Sequence, residues 1–300
     1  MSTKSASQLW IGPIVCFLAI AVILRLWNLD VRALTHPEIY IPGIDLLPGI
    51  SEPPPRHDWL FSIWWHFHDE PHAMGYYLGM QIWTTIAGTS EFALRLPGVV
   101  MGTLSVFLVA AIATKTYGRN VGVIVALLLT LHGFHIFWSQ NARMYVPAAF
   151  VGLISTSILV HLSQLKVASW RWDLAYIVCA LVGTLTFEFF WPFLFLHAAW
   201  VTIILSTNPV LDDKKFSVGQ FWRGTRLCQV QSLAMLISAP TLLHAVYRAR
   251  HAAPEANLNF LQDYFSFGFV LARDPFAIPA LEPNIVSAVA ALIACLCLVF

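Results

Sequence analysis

The sequence predicts an all-α polytopic membrane protein, and three observations lead there. Hydrophobic residues make up 58% of the 300 positions and charged residues 11%, where a soluble domain carries about 25% charged residues. Mean hydropathy is +0.70. The apolar residues also gather into runs near the roughly 20 residues that cross a hydrocarbon core. Such runs cover 9–27, 94–114, 121–138, 145–165, 174–187 (extending toward Phe190), 193–206 and 227–247. An eighth starts at Ile285 and is still apolar at Phe300, so the reading expects a longer natural chain. The expectation is one module over 1–300 with seven to eight spans.

Short connections give the sidedness. Lys4, Lys115 with Arg119, Lys166 with Arg171, and Lys214, Lys215, Arg223 and Arg226 fall in alternate segments. Cytoplasmic loops collect Lys and Arg, so these segments are expected inside. The other side then receives a first loop at 29–93, a turn at 139–144 and a second loop at 248–284. Thirteen of the sixteen Asp and Glu fall on that side, all but Asp173, Asp212 and Asp213. A chain that places its carboxylates there is expected to do its chemistry there. The net charge of +1 offers no basic field for nucleic acid. The five Cys lie mostly in apolar runs without ligand spacing and read as small core residues. Walker-type glycine loops, dinucleotide fingerprints and nucleophile elbows are absent.

The first loop is far longer than an ordinary connection of about 4 to 6 residues. It carries Tyr40, Trp59, Phe61, Trp64, Trp65, Phe67, Tyr76, Tyr77 and Trp83, too many aromatics for a disordered segment. The stretches 58–67 and 76–86 are expected to form interfacial helices. Between them, His66, His68, Asp69, Glu70 and His72 crowd proton-active groups together. His68 and His72 stand four apart with Asp69 between, a spacing that admits a divalent cation. Hydrogen-bonded loop histidines are the competing reading. Glu188 lies near a span end, where a carboxylate is costly unless it faces a cavity.

Several segments together resemble the GT-C superfamily of polyprenyl-phosphate-sugar-dependent glycosyltransferases. They are Tyr76-Tyr77-Leu78-Gly79-Met80-Gln81-Ile82-Trp83, Ser90-Glu91-Phe92-Ala93-Leu94-Arg95-Leu96-Pro97, Tyr117-Gly118-Arg119, and Phe134 through Tyr145 with its Ser139-Gln140-Asn141-Ala142-Arg143-Met144-Tyr145 end. The resemblance is to the bacterial relatives of protein O-mannosyltransferases and of the aminoarabinose transferase. It implies an extracytoplasmic site in the bacterial inner membrane, a polyprenyl-phosphate-linked sugar as donor, and a protein, lipid or glycan acceptor.

The family's acidic pair followed by Tyr is matched at His36-Pro37-Glu38-Ile39-Tyr40, with Pro37 in the Asp position. His72 keeps the histidine of a His-Pro-Pro-like motif, and Asn141 stands in a Glu position. The implied reaction needs a carboxylate to take the acceptor's proton and a cation to steady the leaving phosphate. Glu38 is the first candidate for the carboxylate, with Asp69 and Glu70 as substitutes and Asp58 behind them. Arg143 is the candidate for the lipid phosphate, since a guanidinium fork matches phosphate oxygens. His72, Tyr40, Tyr145 and Glu188 complete the expected substrate-binding set. Arg95 reads as a snorkelling residue or a partner of Glu91. A second reading, from another class, is a degenerate relative kept as a structural subunit of a membrane complex; Pro37 and Asn141 favour it.

Overall fold

A computed structural model describes residues 3–35, 38–45, 53–68, 72–164, 169–206 and 226–251. They form ten helices and no strand: α1 (Thr3–Leu26), α2 (Trp59–His68), α3 (Met74–Ala87), α4 (Glu91–Tyr117), α5 (Arg119–Leu131), α6 (Gly133–Ser139), α7 (Tyr145–Gln164), α8 (Trp170–Thr186), α9 (Phe190–Ser206) and α10 (Arg226–His251). By length and hydropathy α4, α7 and α10 can each cross a membrane, and α5 with α6 makes a bent fourth. The apolar parts of α1 (Gly12–Leu26) and α9 (Phe190–Ile203) are shorter. The eighth run, the second loop at 248–284 beyond His251, and Asp69, Glu70, His36 and Pro37 lie outside the described residues.

Helix α4 is the hub and packs against α1, α5 and α7, while α7, α8, α9 and α10 form the other half. Its ends follow local rules. Ser90 caps the first turn by accepting from Ala93 N–H, Glu91 sits at the positive end of the dipole, and Gly118 closes the last turn at φ +94°. Pro97 cannot donate to the Ala93 carbonyl, and the Trp83 indole N–H takes that acceptor at 2.7 Å. Small residues let the helices close: Ala21, Ala110 and Ala126 are buried together with Ile14 and Val106 between α1, α4 and α5.

The run at 121–138 is one continuous apolar stretch in sequence but two helices in the fold, bent by 60° at His132. Hydropathy does not see the break. His132 adopts extended backbone, and its Nδ1 accepts from His135 N–H to start α6. The Leu129 carbonyl released by the break accepts from Arg25 Nη2 at 3.2 Å. The guanidinium also donates to His135 Nδ1 at 3.0 Å.

Helices α2 and α3 occupy the first loop where the aromatics place them. Only Ser62 and His66 of α2 are buried, while Trp59, Leu60, Phe61, Ile63, Trp64 and Phe67 are exposed. The helix hides a polar stripe and shows an apolar one, as suits an interfacial helix. Asp58, a reserve candidate base, is its cap: its carboxylate accepts from Phe61 N–H at 2.9 Å. The C-terminus of α1, the α6–α7 and α8–α9 connections and helices α2 and α3 all meet at one end of the bundle.

Candidate functional site

The connection from Gln140 to Met144 is the centre of that end, and all five residues are buried. It sits tightly against α4 because Gly98 and Gly102 have no side chains there. A Cβ on Gly98 would stand 2.8 Å from the Ser139 carbonyl, and one on Gly102 would strike the Ser139 hydroxyl. Gln140 Nε2 donates to the carbonyls of Leu24 at 3.1 Å and Trp27 at 2.9 Å, fastening the connection to the end of α1. Asn141 donates its side-chain N–H to the Phe137 carbonyl at 2.6 Å. A carboxylate at that position has no proton to give, so the amide is fitted to this turn.

Glu38 is fully buried, and both oxygens are occupied. Oε1 accepts from Arg95 Nε at 2.9 Å and from Ala142 N–H at 2.8 Å. Oε2 accepts from Arg95 Nη2 at 3.0 Å, Thr35 N–H at 2.8 Å and the Thr35 hydroxyl at 2.9 Å. Burial by itself raises this carboxyl's pKa. The hydrogen bonds from Arg95, Ala142 and Thr35, with the charge of Arg95, outweigh burial and hold it below its ordinary value. Arg95 therefore pairs with Glu38 rather than with Glu91 or lipid headgroups. Its Nη1 also donates to the carbonyls of Leu29 at 2.9 Å and Arg32 at 2.8 Å. The pair folds the start of the first loop onto α4 and, through Ala142, fixes the residue before Arg143.

Arg143 is 6% exposed. Nη1 donates to the Tyr77 hydroxyl at 3.2 Å and Nη2 to His72 Nε2 at 3.0 Å, and the guanidinium carbon stands 5.7 Å from the Tyr145 ring centroid. Because a guanidinium has no lone pair to offer, His72 Nε2 is the acceptor, and the ring proton is on Nδ1. That nitrogen faces Glu188 Oε1 at 3.3 Å. Glu188 Oε2 accepts from Ala73 N–H at 3.2 Å. Phe187, extended between α8 and α9, brings Glu188 to this point. Gly75 lets the start of α3 approach, since a Cβ there would stand 2.6 Å from the Leu185 carbonyl.

Four expected residues thus converge, His72, Arg143, Tyr145 and Glu188, from three separate places in the chain. Tyr40 stands on the same apolar cluster, half-buried and stacked 6.4 Å from Trp65. Glu38 adjoins through backbone only. His68 turns its Nδ1 to the Trp64 carbonyl at 2.9 Å, and His72 is engaged as described. Among the described residues no three ligating side chains gather for a metal ion. The roles of Tyr77 and Arg95 were missed from sequence, although the Tyr76-Tyr77 pair marked the place.

An apolar cleft of about 450 Å³ is lined by Tyr145, whose ring faces the arginine, with Phe187, Leu129, Ala149, Leu153 and Phe193 among its other walls. Fold and site define a helical membrane protein that holds a buried cation next to an apolar cleft. The family model for dolichyl-phosphate-mannose-protein mannosyltransferase matches residues 69–219, half of the chain, and the chain belongs to that family within the GT-C superfamily. It is a membrane glycosyltransferase of the GT-C type. The matched segment holds His72, Tyr77, Arg95, Arg143, Tyr145 and Glu188; Glu38 and Tyr40 precede it. No curated protein matches the chain.

Proposed function

We propose that the protein transfers a sugar from a polyprenyl-phosphate donor to an acceptor hydroxyl or amine on the extracytoplasmic side of the membrane. The observation that carries this is Arg143, buried among Tyr77, Tyr145 and His72, with the Tyr145 ring lying between it and an apolar cleft that the same ring lines. The isoprenoid chain lies in the cleft, and its phosphate meets the guanidinium. As the sugar–phosphate bond breaks, negative charge grows on the phosphate oxygens, and a preorganised cation in a site shielded from water stabilises it. Glu38 acts here as a positioning residue: its bond to Ala142 N–H holds the turn that presents Arg143. The reading puts the protein in the bacterial inner membrane with its candidate site on the extracytoplasmic side, supported by the alternation of Lys and Arg along the chain.

The test is binding of polyprenyl phosphate to purified protein in lipid nanodiscs, read by native mass spectrometry. Charge-assisted hydrogen bonds contribute about 1.5–3 kcal/mol, so Arg143→Ala should weaken binding roughly 10- to 100-fold. Ala149→Trp should block the cleft and weaken binding while the protein stays monodisperse. Equal binding by all three proteins overturns the assignment. The saturation of Glu38 favours a second reading, an accessory subunit without transfer activity, and absence of binding by the unmodified protein would establish it.

A further inference from the structure

Behind Glu188, on the side of α10, lies a second cavity of about 170 Å³. Phe67, Met74, Leu185 and Pro240 wall it, and Glu188 and His244 bring ionisable groups to it. Its threonines are committed locally. Thr184 donates to the Leu181 carbonyl at 3.0 Å, and Thr241 donates to the Ser238 carbonyl at 2.8 Å while accepting from the Trp191 indole at 3.0 Å. His244 stacks on Phe67 at 4.1 Å and shares a 3.0 Å bond with the Phe67 carbonyl.

Resting on the transferase reading above, we propose that this cavity receives the acceptor, that Glu188 is the base taking the acceptor's proton, and that the acceptor is a neutral hydroxyl on an apolar stem. Glu38 cannot serve, being closed off by five hydrogen bonds. Glu188 keeps 21% of its side chain accessible and borders the cavity. One imidazole separates it from Arg143, so the base and the phosphate-holding cation stand on either side of His72. His244 is the other titratable group at the cavity, and it is set on α10 against Phe67 of α2.

The step balances without a co-reactant. The acceptor oxygen forms a bond to the anomeric carbon, and the bond from that carbon to the phosphate oxygen breaks. The electron pair leaves with the phosphate at Arg143, and the hydroxyl proton passes to Glu188. His72 is a positioning residue that aims the carboxylate through Nδ1–H. The walls decide the acceptor class. They are mostly apolar and offer few partners beyond Glu188, His244 and the threonine oxygens, so each hydroxyl of a polyol left unpaired would cost about 1–3 kcal/mol. An anionic acceptor would face the Glu188 carboxylate.

The test uses the full chain in nanodiscs with polyprenyl-phosphate mannose, the sugar in the family's description, and hexan-1-ol or glycerol as acceptor. Hexyl mannoside should form in preference to the glycerol product. Removing a general base costs about 10²–10⁴-fold, so Glu188→Gln should lower transfer at least 100-fold while polyprenyl-phosphate binding changes less than about threefold. Met74→Trp, which fills the cavity while leaving the carboxylate in the chain, should abolish hexyl mannoside with binding kept. Full activity in Glu188→Gln overturns the proposal, as does equal use of both alcohols. Loss in His244→Gln with none in Glu188→Gln moves the proton to His244 and overturns it too. Donor binding with no transfer to any acceptor overturns this proposal alone; failure to bind polyprenyl phosphate overturns the donor-site reading with it.

Discussion

Arg95 grips Glu38 with two nitrogens, Nε to Oε1 at 2.9 Å and Nη2 to Oε2 at 3.0 Å, across 57 positions of sequence. Both side chains are at most 2% exposed. An ion pair this deep is costly to form and more costly to break, because the survivor is left charged and buried. Arg95→Met should therefore destabilise the protein by about 3–5 kcal/mol, against a smaller loss for Arg95→Met combined with Glu38→Met. Thermal unfolding of both variants in the same detergent checks this; equal losses would mean that the pair is not coupled.

Acid should loosen the first loop, and His66 sets the upper part of the window. Its ring is fully buried and stacks 4.7 Å from Tyr77, and burial lowers its pKa from 6.5 to about 4. The unfolded chain binds a proton between those values and the folded chain does not, so stability is complete above about 6.5 and falls as the pH drops toward about 4. Glu38, held below its ordinary value, acts in the same direction: its contribution is present above the usual carboxylate range and is lost as pH falls through the folded value. His66→Phe should flatten the dependence between pH 6.5 and 4 by up to about 1.4 kcal/mol per pH unit. Denaturant titrations at several pH values would show it, and an unchanged slope would refute it.

Gly102 of α4 faces Ser139, the last residue of α6. Gly102→Val would drive its side chain into Ser139 and toward Arg25 Nε, which lies 3.2 Å from an ideal Cβ. Overpacking of this kind costs about 1–3 kcal/mol. The midpoint of thermal unfolding should fall, whereas Gly79→Ala, where no atom lies within 4 Å of the added carbon, should change little.

Charge alone should not satisfy the phosphate site. Arg143→Lys keeps the cation but cannot reach the Tyr77 hydroxyl and His72 Nε2 together. A single ammonium lacks the planar fork, so polyprenyl-phosphate affinity should fall about tenfold, measured in the nanodisc assay. Lysine binding as well as arginine would mean that only the charge is read.

How much the sequence disclosed follows from what each signal measures. Hydropathy finds apolar length, so α4, α7 and α10 were legible, and so was the family from the segments at 76–83, 90–97, 117–119 and 134–145 taken together. Hydropathy is blind to direction, and the 60° bend at His132 was hidden inside one apolar run. The partner of Arg95 was sought nearby, at Glu91 one turn before it. Burial chose Glu38 instead, because an exposed helix pair is worth only about 0.3–0.5 kcal/mol. Glu188 stood out in sequence as an expensive place for a carboxylate, but sequence alone could not give it His72 as a neighbour 116 residues away.

Gln140 has a consequence for how the chain is made. Its bonds to Leu24, Arg25 and Trp27 reach back 113 to 116 residues, and Arg25 in turn waits for Leu129 and His135. At about 5–20 residues per second of synthesis, roughly 6 to 23 seconds separate the emergence of α1 from that of the turn that fastens it. During that interval the end of α1 has its carbonyls and its arginine without their final partners, so the insertion machinery or lipid headgroups must shelter them. The arginine turn is thus the clasp of the bundle as well as its centre: the amino-terminal third stays provisional until residue 140 leaves the ribosome.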